Sequence, residues 1–256
     1  CGALNQGFTV TKGDYLLTLN PDVVLSETFL TELIAGIKRY EAGSASGKLL
    51  SHPSSEGHQA EIDSTGLLMN RARRPQDRGR GQVNGPQWDV PDEVFGVCGA
   101  AALHRREMLA DIAVNGQVWD ETLFAYYDDV DLAWRARWRG WRSIYVPTAV
   151  AYHYRGAAET LRKRGRAPAN RSLQARAIAN RYLVLLKNET ARTFLAALPF
   201  VVASDLPRWL YITLRAPSLW QWLLFFWCGL HPTWVARQVV QHRRNVPVQA
   251  LQRWLR

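Results

Sequence analysis

The chain has 256 residues, 47% hydrophobic and 21% charged, which argues against disorder and allows one substantial core with an appendage. Its three cysteines, Cys1, Cys98 and Cys228, are odd in number and far apart, fitting a reducing compartment rather than a disulfide framework or zinc site. The net charge of +10 hides an asymmetry: residues 1–133 carry 11 Lys/Arg and 19 Asp/Glu, whereas residues 134–256 carry 21 and 3. A basic half of this kind can meet nucleic acid, an anionic membrane or a phosphorylated substrate.

The chain opens at Cys1 without an initiator Met or signal-peptide pattern, and its first residues read as the inside of a domain; a missing N-terminal segment is expected. Tyr15–Leu19 follows the turn signal Lys12-Gly13-Asp14 and is predicted to be a buried strand ending at Asn20-Pro21-Asp22. A helix is predicted next, with Ser26 as N-cap, Phe29, Leu30, Leu33, Ile34 and Ile37 on one face, and a close near Gly43. Gly47–Leu50 reads as a strand and 51–92 as a long loop region with short strands. Glu93–Leu103 is β-prone, interrupted by Gly96 and Gly99, glycines of the kind that mark close approach of a ligand or backbone. Asp129–Arg139 is predicted helical, stopping at Gly140. Ser143–Val146 reads as a strand ended by Pro147, and Ala149–Tyr154 as a further extended piece. Strands alternating with helices indicate an α/β sheet.

Beyond Arg155 the character changes. Arg162–Arg171 reads as a basic linker and Ser172–Glu189 as a helix with Ile178, Tyr182, Leu185 and Leu186 on its apolar face. Phe194–Ala203 and Trp209–Leu230 are rich in Trp, Leu and Phe but broken by Pro199, Pro207, Arg215 and Pro217. No stretch reaches the roughly 20 uninterrupted apolar residues that a spanning helix needs. Apolar, tryptophan-rich helices beside many arginines fit interfacial contact with an anionic membrane, against the plainer reading of a helical subdomain core.

The run Tyr126-Tyr127-Asp128-Asp129-Val130-Asp131 places three carboxylates in four positions. Such groups repel, so at least one should hold its proton unusually well, suiting proton abstraction or metal chemistry; the plain alternative is a helix N-terminus. In an open α/β sheet ligands sit at the carboxyl ends of strands. Asp22 follows one predicted strand, Asp128/Asp129 follow Phe124–Tyr127, and His153 lies near the end of the last. Carboxylate and imidazole with open positions would suit Mg²⁺ or Mn²⁺ on a diphosphate. Taken singly, Asp22 reads as a turn residue and His153 as a core histidine.

With these residues in view, the chain resembles family 2 inverting glycosyltransferases of the GT-A fold, especially the rhamnosyltransferase-like branch. The matching stretches are Asn5-Gln6-Gly7, Gly13 through Val23, Asp77-Arg78-Gly79, Phe95 through Ala101, and Trp119-Asp120-Glu121 through His153, including Asp128-Asp129-Val130-Asp131-Leu132, Arg135 and Gly140-Trp141-Arg142. They run in order over residues 1–190. The resemblance implies a GT-A mixed sheet flanked by helices, lacking its first βα units of roughly 60 residues, followed by a helical, basic, membrane-associating tail. It divides the chain into catalytic residues 1–155 and a basic, tryptophan-rich region 156–256. It assigns the Asp-X-Asp metal motif to Asn20-Pro21-Asp22, with Asn20 departing from the strict pattern. Asp129 becomes the base with Asp128 beside it, and Asp22 and His153 the ligands of Mg²⁺ or Mn²⁺. Asn5, Asn20 and Asp22 fall on the donor-binding side, and Asp131 is expected to cap its helix. Arg135, Arg139 and Arg142 are expected on a solvated face rather than on phosphates.

The implied reaction is inverting transfer of a sugar, plausibly rhamnose, from a nucleotide-diphosphate donor. The acceptor would be a hydroxyl of a cell-surface glycan or polyprenyl-diphosphate-linked intermediate at the cytoplasmic face of the cell membrane. Specificity is expected in the loops 51–92 and 155–171. Two rivals are a catalytically silent scaffold of a membrane glycan assembly and a nucleic-acid-binding protein. The first is disfavoured by the intact Asp22, Asp129 and His153 set. The second is disfavoured because the aromatics sit in apolar runs rather than on a charged face.

Overall fold

The computed structural model describes residues 1–51, 60–154 and 170–255, so most of the basic linker and parts of both expected specificity loops lie outside the described residues. The chain opens with α1 (Gly2–Val10), a helix not expected from the sequence pattern. Its Leu4 and Phe8, four apart on one face, pack against a cluster that holds Met108, Leu109, Trp119 and Leu132. β1 (Tyr15–Leu19) forms where expected, burying Leu16 and Thr18, and β2 (Val23–Leu25) follows at once.

Helix α2 (Phe29–Arg39) starts two residues later and ends earlier than its sequence suggests. The Ser26 carbonyl accepts from Phe29 N in a turn that precedes the helix, and Gly43 N donates to Arg142 O at 2.8 Å, which makes Gly43 the entrance to the next strand. That strand, β3 (Ser44–Ser51), is the buried centre of the sheet. β4 (Ile62–Ser64), β5 (Leu67–Met69) and β6 (Pro75–Asp77) follow.

The β-prone run Glu93–Leu103 holds parts of two strands, β7 (Asp92–Val94) and β8 (Ala101–Arg105), and the residues between them cross close to Ala133. Gly96 permits the crossing: a Cβ there would lie 2.3 Å from the Ala133 Cβ. After α3 (Arg106–Ile112) and α4 (Asp128–Trp138), β9 (Ser143–His153) runs as one strand through Pro147, where a break is expected from sequence. The register jumps from Gly47↔Val146 to Lys48↔Val150, so residues 147–149 bulge and the missing proline N–H costs no ladder bond.

The seven-stranded sheet runs β1-β8-β3-β9-β2, with β4 on β3 and β7 on β9, while β5 and β6 form a separate pair. The β3–β9 pair is parallel and the other pairs antiparallel, giving a mixed α/β sheet flanked by helices as expected.

Four helices follow: α5 (Arg171–Asn188), α6 (Ala191–Arg215), α7 (Trp222–His242) and α8 (Val248–Gln252). Pro199 and Pro207 lie inside α6, so the interruptions expected there do not occur, whereas the helix does end at Arg215, just before Pro217. Both prolines are exposed, where the carbonyls they leave unpaired face outward rather than into the core. As a result α6 is long and apolar enough, by length and composition, to cross a membrane, contrary to the expectation that no such stretch exists.

Two cores position the site. Under the sheet, Phe29, Leu33 and Ile37 of α2 pack on Ala45, Leu49, Leu103, Ile144 and Val146. On the other side, Phe95, Leu123, Trp134 and Trp138 share a cluster with Leu183, Val184, Val240, Leu251 and Leu255. Residues from both sides of position 155 therefore build one core.

Candidate active site

An open cleft of about 470 Å³ lies at the ends of β1 and β9 and the start of α4. Its walls include Asn20, Asp77, Gly99, Tyr127, Asp128, Asp129 and His153. β1 delivers Asn20 and holds it by a bond from its N–H to Ala100 O at 2.8 Å. The β2–β9 register pairs Val23 with His153, which brings His153 beside Asp22: Nε2 lies 3.3 Å from Asp22 Oδ1. On its other side His153 Nδ1 donates to Asp63 Oδ2 at 2.8 Å, and both residues are buried. A carboxylate on one ring nitrogen fixes the tautomer and leaves the other nitrogen for a metal. Asp63, from β4, was not singled out by sequence reasoning.

Asp128 and Asp129 open α4. Asp129 Oδ2 accepts from Gly99 N at 3.2 Å and Oδ1 from Val130 N at 2.8 Å. Burial, then the neighbouring Asp128 charge, raise the Asp129 carboxyl to about 7, against which these two N–H bonds pull only partly. Asp128 is also raised, chiefly by burial. A carboxyl poised near neutrality at a cleft wall has the proton affinity of a general base.

The residues that aim this pair do not form the strand end expected from Phe124–Tyr127. They follow a short 3₁₀ turn (Glu121–Leu123), and Phe124, Tyr126 and Tyr127 have φ of 60°, 69° and 68°. Non-glycine residues in such regions cost on the order of 1–3 kcal/mol each and persist only where the surroundings impose them.

The chain is similar to known proteins over part of its length. Residues 1–112 match the model of Glycosyl transferase family 2. Over 157 residues, 56% of the chain, it is 27% identical to the N-acetylglucosaminyl-diphospho-decaprenol L-rhamnosyltransferase of Mycobacterium tuberculosis, found alike in two strains. The family-model match and these relatives support a family 2 glycosyltransferase. The match covers 47% of the relatives, so the chain spans about half the length of the curated proteins it resembles. Among solved structures it is similar to GalNAc-T7 with UDP, GalNAc and Mn²⁺, at 14% identity and TM-score 0.49, over 73% of this chain and 34% of that one.

The family match stops at residue 112, so Asp128, Asp129 and His153 lie beyond it and rest on geometry. Of the donor-side residues, Asn20 lines the cleft and Asp22 borders it through His153. Asn5 does not reach it. Its side chain donates to Trp119 O at 2.8 Å and Glu121 Oε1 at 2.9 Å, and accepts from Val118 N and Trp119 N, tying α1 to the turn before α4.

The expected helix cap at Asp131 is also corrected. Asp131 is fully buried, accepts from Arg135 Nε at 2.9 Å and Asn188 Nδ2 at 2.9 Å, and pairs with Lys187 at 2.8 Å. Of the three arginines expected on a solvated face, Arg142 is exposed and the other two are not. Arg135 is buried and donates to Ile112 O and Val118 O, both at 2.6 Å, while Arg139 is clamped to Asp111. Arg142 pairs with Glu93 at 3.4 Å.

Behind the carboxylates a second cavity of about 100 Å³ is lined by Thr18, Trp119 and His104 together with Asp128 and Asp129. Burial lowers His104 to about 4, so this imidazole is neutral. The Cys98 thiol lines the cleft and is pushed up by burial and by Asp77 and Asp129, so it is no nucleophile at neutral pH. Among the described residues no cluster of three or more His, Cys, Asp or Glu forms a metal cage. Asp22 and His153 meet at the cleft as a carboxylate–imidazole pair.

Proposed function

We propose that the protein catalyses inverting transfer of a sugar from a nucleotide-diphosphate donor to a hydroxyl of a glycan or polyprenyl-diphosphate-linked acceptor. The observation that carries this reading is Asp129, a half-buried carboxyl raised to about 7 at the wall of a cleft that also presents Asn20 and His153. Asp129 takes the proton of the acceptor hydroxyl as oxygen attacks the anomeric carbon, and Asp128 keeps its proton affinity high. One base and one displacement give inversion. The N–H of Gly99 holds the Asp129 carboxylate in place throughout.

Asp22 and His153 Nε2 fit a divalent cation by donor type and mutual distance, and Asp63 supports His153 from behind. Such a cation, Mg²⁺ or Mn²⁺, would stabilise the negative charge on the departing diphosphate. The resemblance to a rhamnosyltransferase supports a deoxyhexose donor and a lipid-linked acceptor.

The outward faces of α6 and α7 support a site at a membrane surface. Leu195, Phe200, Leu206, Leu210, Leu224 and Trp227 are all exposed there, near the exposed Arg192 and Arg215. Asp205 of α6 is bound to Arg74 and Arg181, which ties that helix to the catalytic half and favours lying on a bilayer over crossing it.

The test is nucleoside diphosphate release by the full-length protein against a panel of donors, with a lipid-linked acceptor and Mn²⁺ or Mg²⁺. Metal-dependent release from one donor, lost in Asp129→Asn, supports the reading. A folded protein that binds anionic vesicles but releases nothing from any donor would return the scaffold reading.

A further inference from the structure

A buried side chain holds the strained segment before α4. Asn180, on α5, is almost fully buried, and its Nδ2 donates to Leu123 O at 2.7 Å, Ala125 O at 2.8 Å and Tyr126 O at 2.9 Å. Two amide hydrogens thus serve three carbonyls, each from a residue at or next to one with positive φ. A carbonyl turned inward in such a segment must find a donor or pay for burial. Asn180 supplies donors to all three, and no other residue type of that size offers two N–H groups and a short stem. One turn earlier on the same helix, Ala177 forms part of the cleft wall, so α5 reaches the substrate region directly. Arg176 flanks the segment on its other side, 5.0 Å above the Phe124 ring.

We propose that Asn180 is the positioning residue of the catalytic base. By gathering the Leu123, Ala125 and Tyr126 carbonyls, it fixes the direction in which α4 begins and so where Asp128 and Asp129 stand in the cleft. This inference rests on the reading of Asp129 as general base. It makes α5, far along the chain from the carboxylates, a working part of the site rather than a spacer before a membrane-facing tail.

The experiment compares Asn180→Asp, of equal size but without the donors, and Asn180→Ala with wild type in the full-length protein. Ile178→Val, a core change on the same helix, controls for stability alone. Donor turnover, donor KM, melting temperature and backbone hydrogen exchange over residues 123–129 are measured for each. Loss of aim lowers kcat by about 100-fold with little change in KM, because misplacement of a base by about 1 Å costs that much. Exchange over 123–129 rises in both Asn180 variants and stays at the wild-type level in Ile178→Val, whose kcat is also unchanged. The proposal is overturned if Asn180→Asp retains kcat within about threefold of wild type, or if exchange over 123–129 is unaltered. If Asp129→Asn turns over as fast as wild type, the general-base reading has failed instead, and the exchange data alone decide whether Asn180 holds the segment.

Discussion

Two ends of one helical turn carry carboxylates with opposite fates. At the cleft end of α4, Asp128 and Asp129 are half-buried, and both hold their protons above the ordinary carboxylate range. Two residues on, Asp131 is fully buried but faces Arg135, Lys187 and Asn188, which hold its carboxyl below that range. Burial raises all three; what sets Asp131 apart is the pair of cations, Arg135 and Lys187, packed against it. One carboxylate of the helix thus holds the core together while two face the cleft.

The largest expected effect is on turnover. Asp129→Asn should lower kcat by roughly 10²–10⁴-fold, the range for loss of a general base, while wild-type kcat/KM should climb as pH rises through about 7. The same substitution has a stability signature of fixed sign. The Asp129 proton is held more tightly in the folded than the unfolded chain, so its contribution is present at low pH and lost as pH rises towards and past about 7. Asp129→Asn should therefore melt higher than wild type at pH 8 and show little advantage near pH 4.

Asp131→Asn should do the reverse. Leaving Lys187 and Arg135 buried against a neutral partner should cost about 3–5 kcal/mol, read by denaturant unfolding at pH 7. Because the Asp131 proton is held less tightly when folded, this difference should shrink as pH falls below the ordinary carboxylate value. Equal loss at pH 7 and pH 3 would break the contrast between the two ends of the turn.

A smaller effect is expected behind the metal pair. Asp63→Asn should weaken Mn²⁺ binding by about 10–100-fold, measured by calorimetry or by the Mn²⁺ resonance signal, with Asp22 and His153 intact. Unchanged affinity would leave Asp63 as a core residue only. The smallest effect concerns the outward faces of the C-terminal helices. Trp227→Ser should reduce binding to anionic vesicles by about tenfold, the scale of one buried large side chain, and binding should fall further at high salt. Indifference of binding to both changes would remove the membrane from the account.

Much of the site was legible because its signals are local. The strand Tyr15–Leu19, the helix after Asp128 and the helix over 171–188 follow from short-range periodicity, and the adjacent carboxylates announce mutual repulsion in any fold. The misreadings were of other kinds. Pro147 and Pro199 look like breaks, but a bulge and an outward face absorb the missing bonds. Asp131 looks like a cap because three residues of sequence cannot reveal Lys187 and Asn188. Asn5, a match to the family pattern, serves the turn before α4 rather than the cleft.

The sequence by itself determined the mixed α/β class, the Asn20-Pro21-Asp22 and Asp128-Asp129 motifs and the apolar, basic character of the tail, since these depend on residue type and neighbour spacing. Only the tertiary structure decided that Asp63 stands behind His153, that Asn180 gathers the carbonyls before α4, and that Asp131 is neutralised while Asp129 is not. Those outcomes hinge on partners between 54 and 90 residues away. The field at a carboxylate falls off with distance in space, not along the chain.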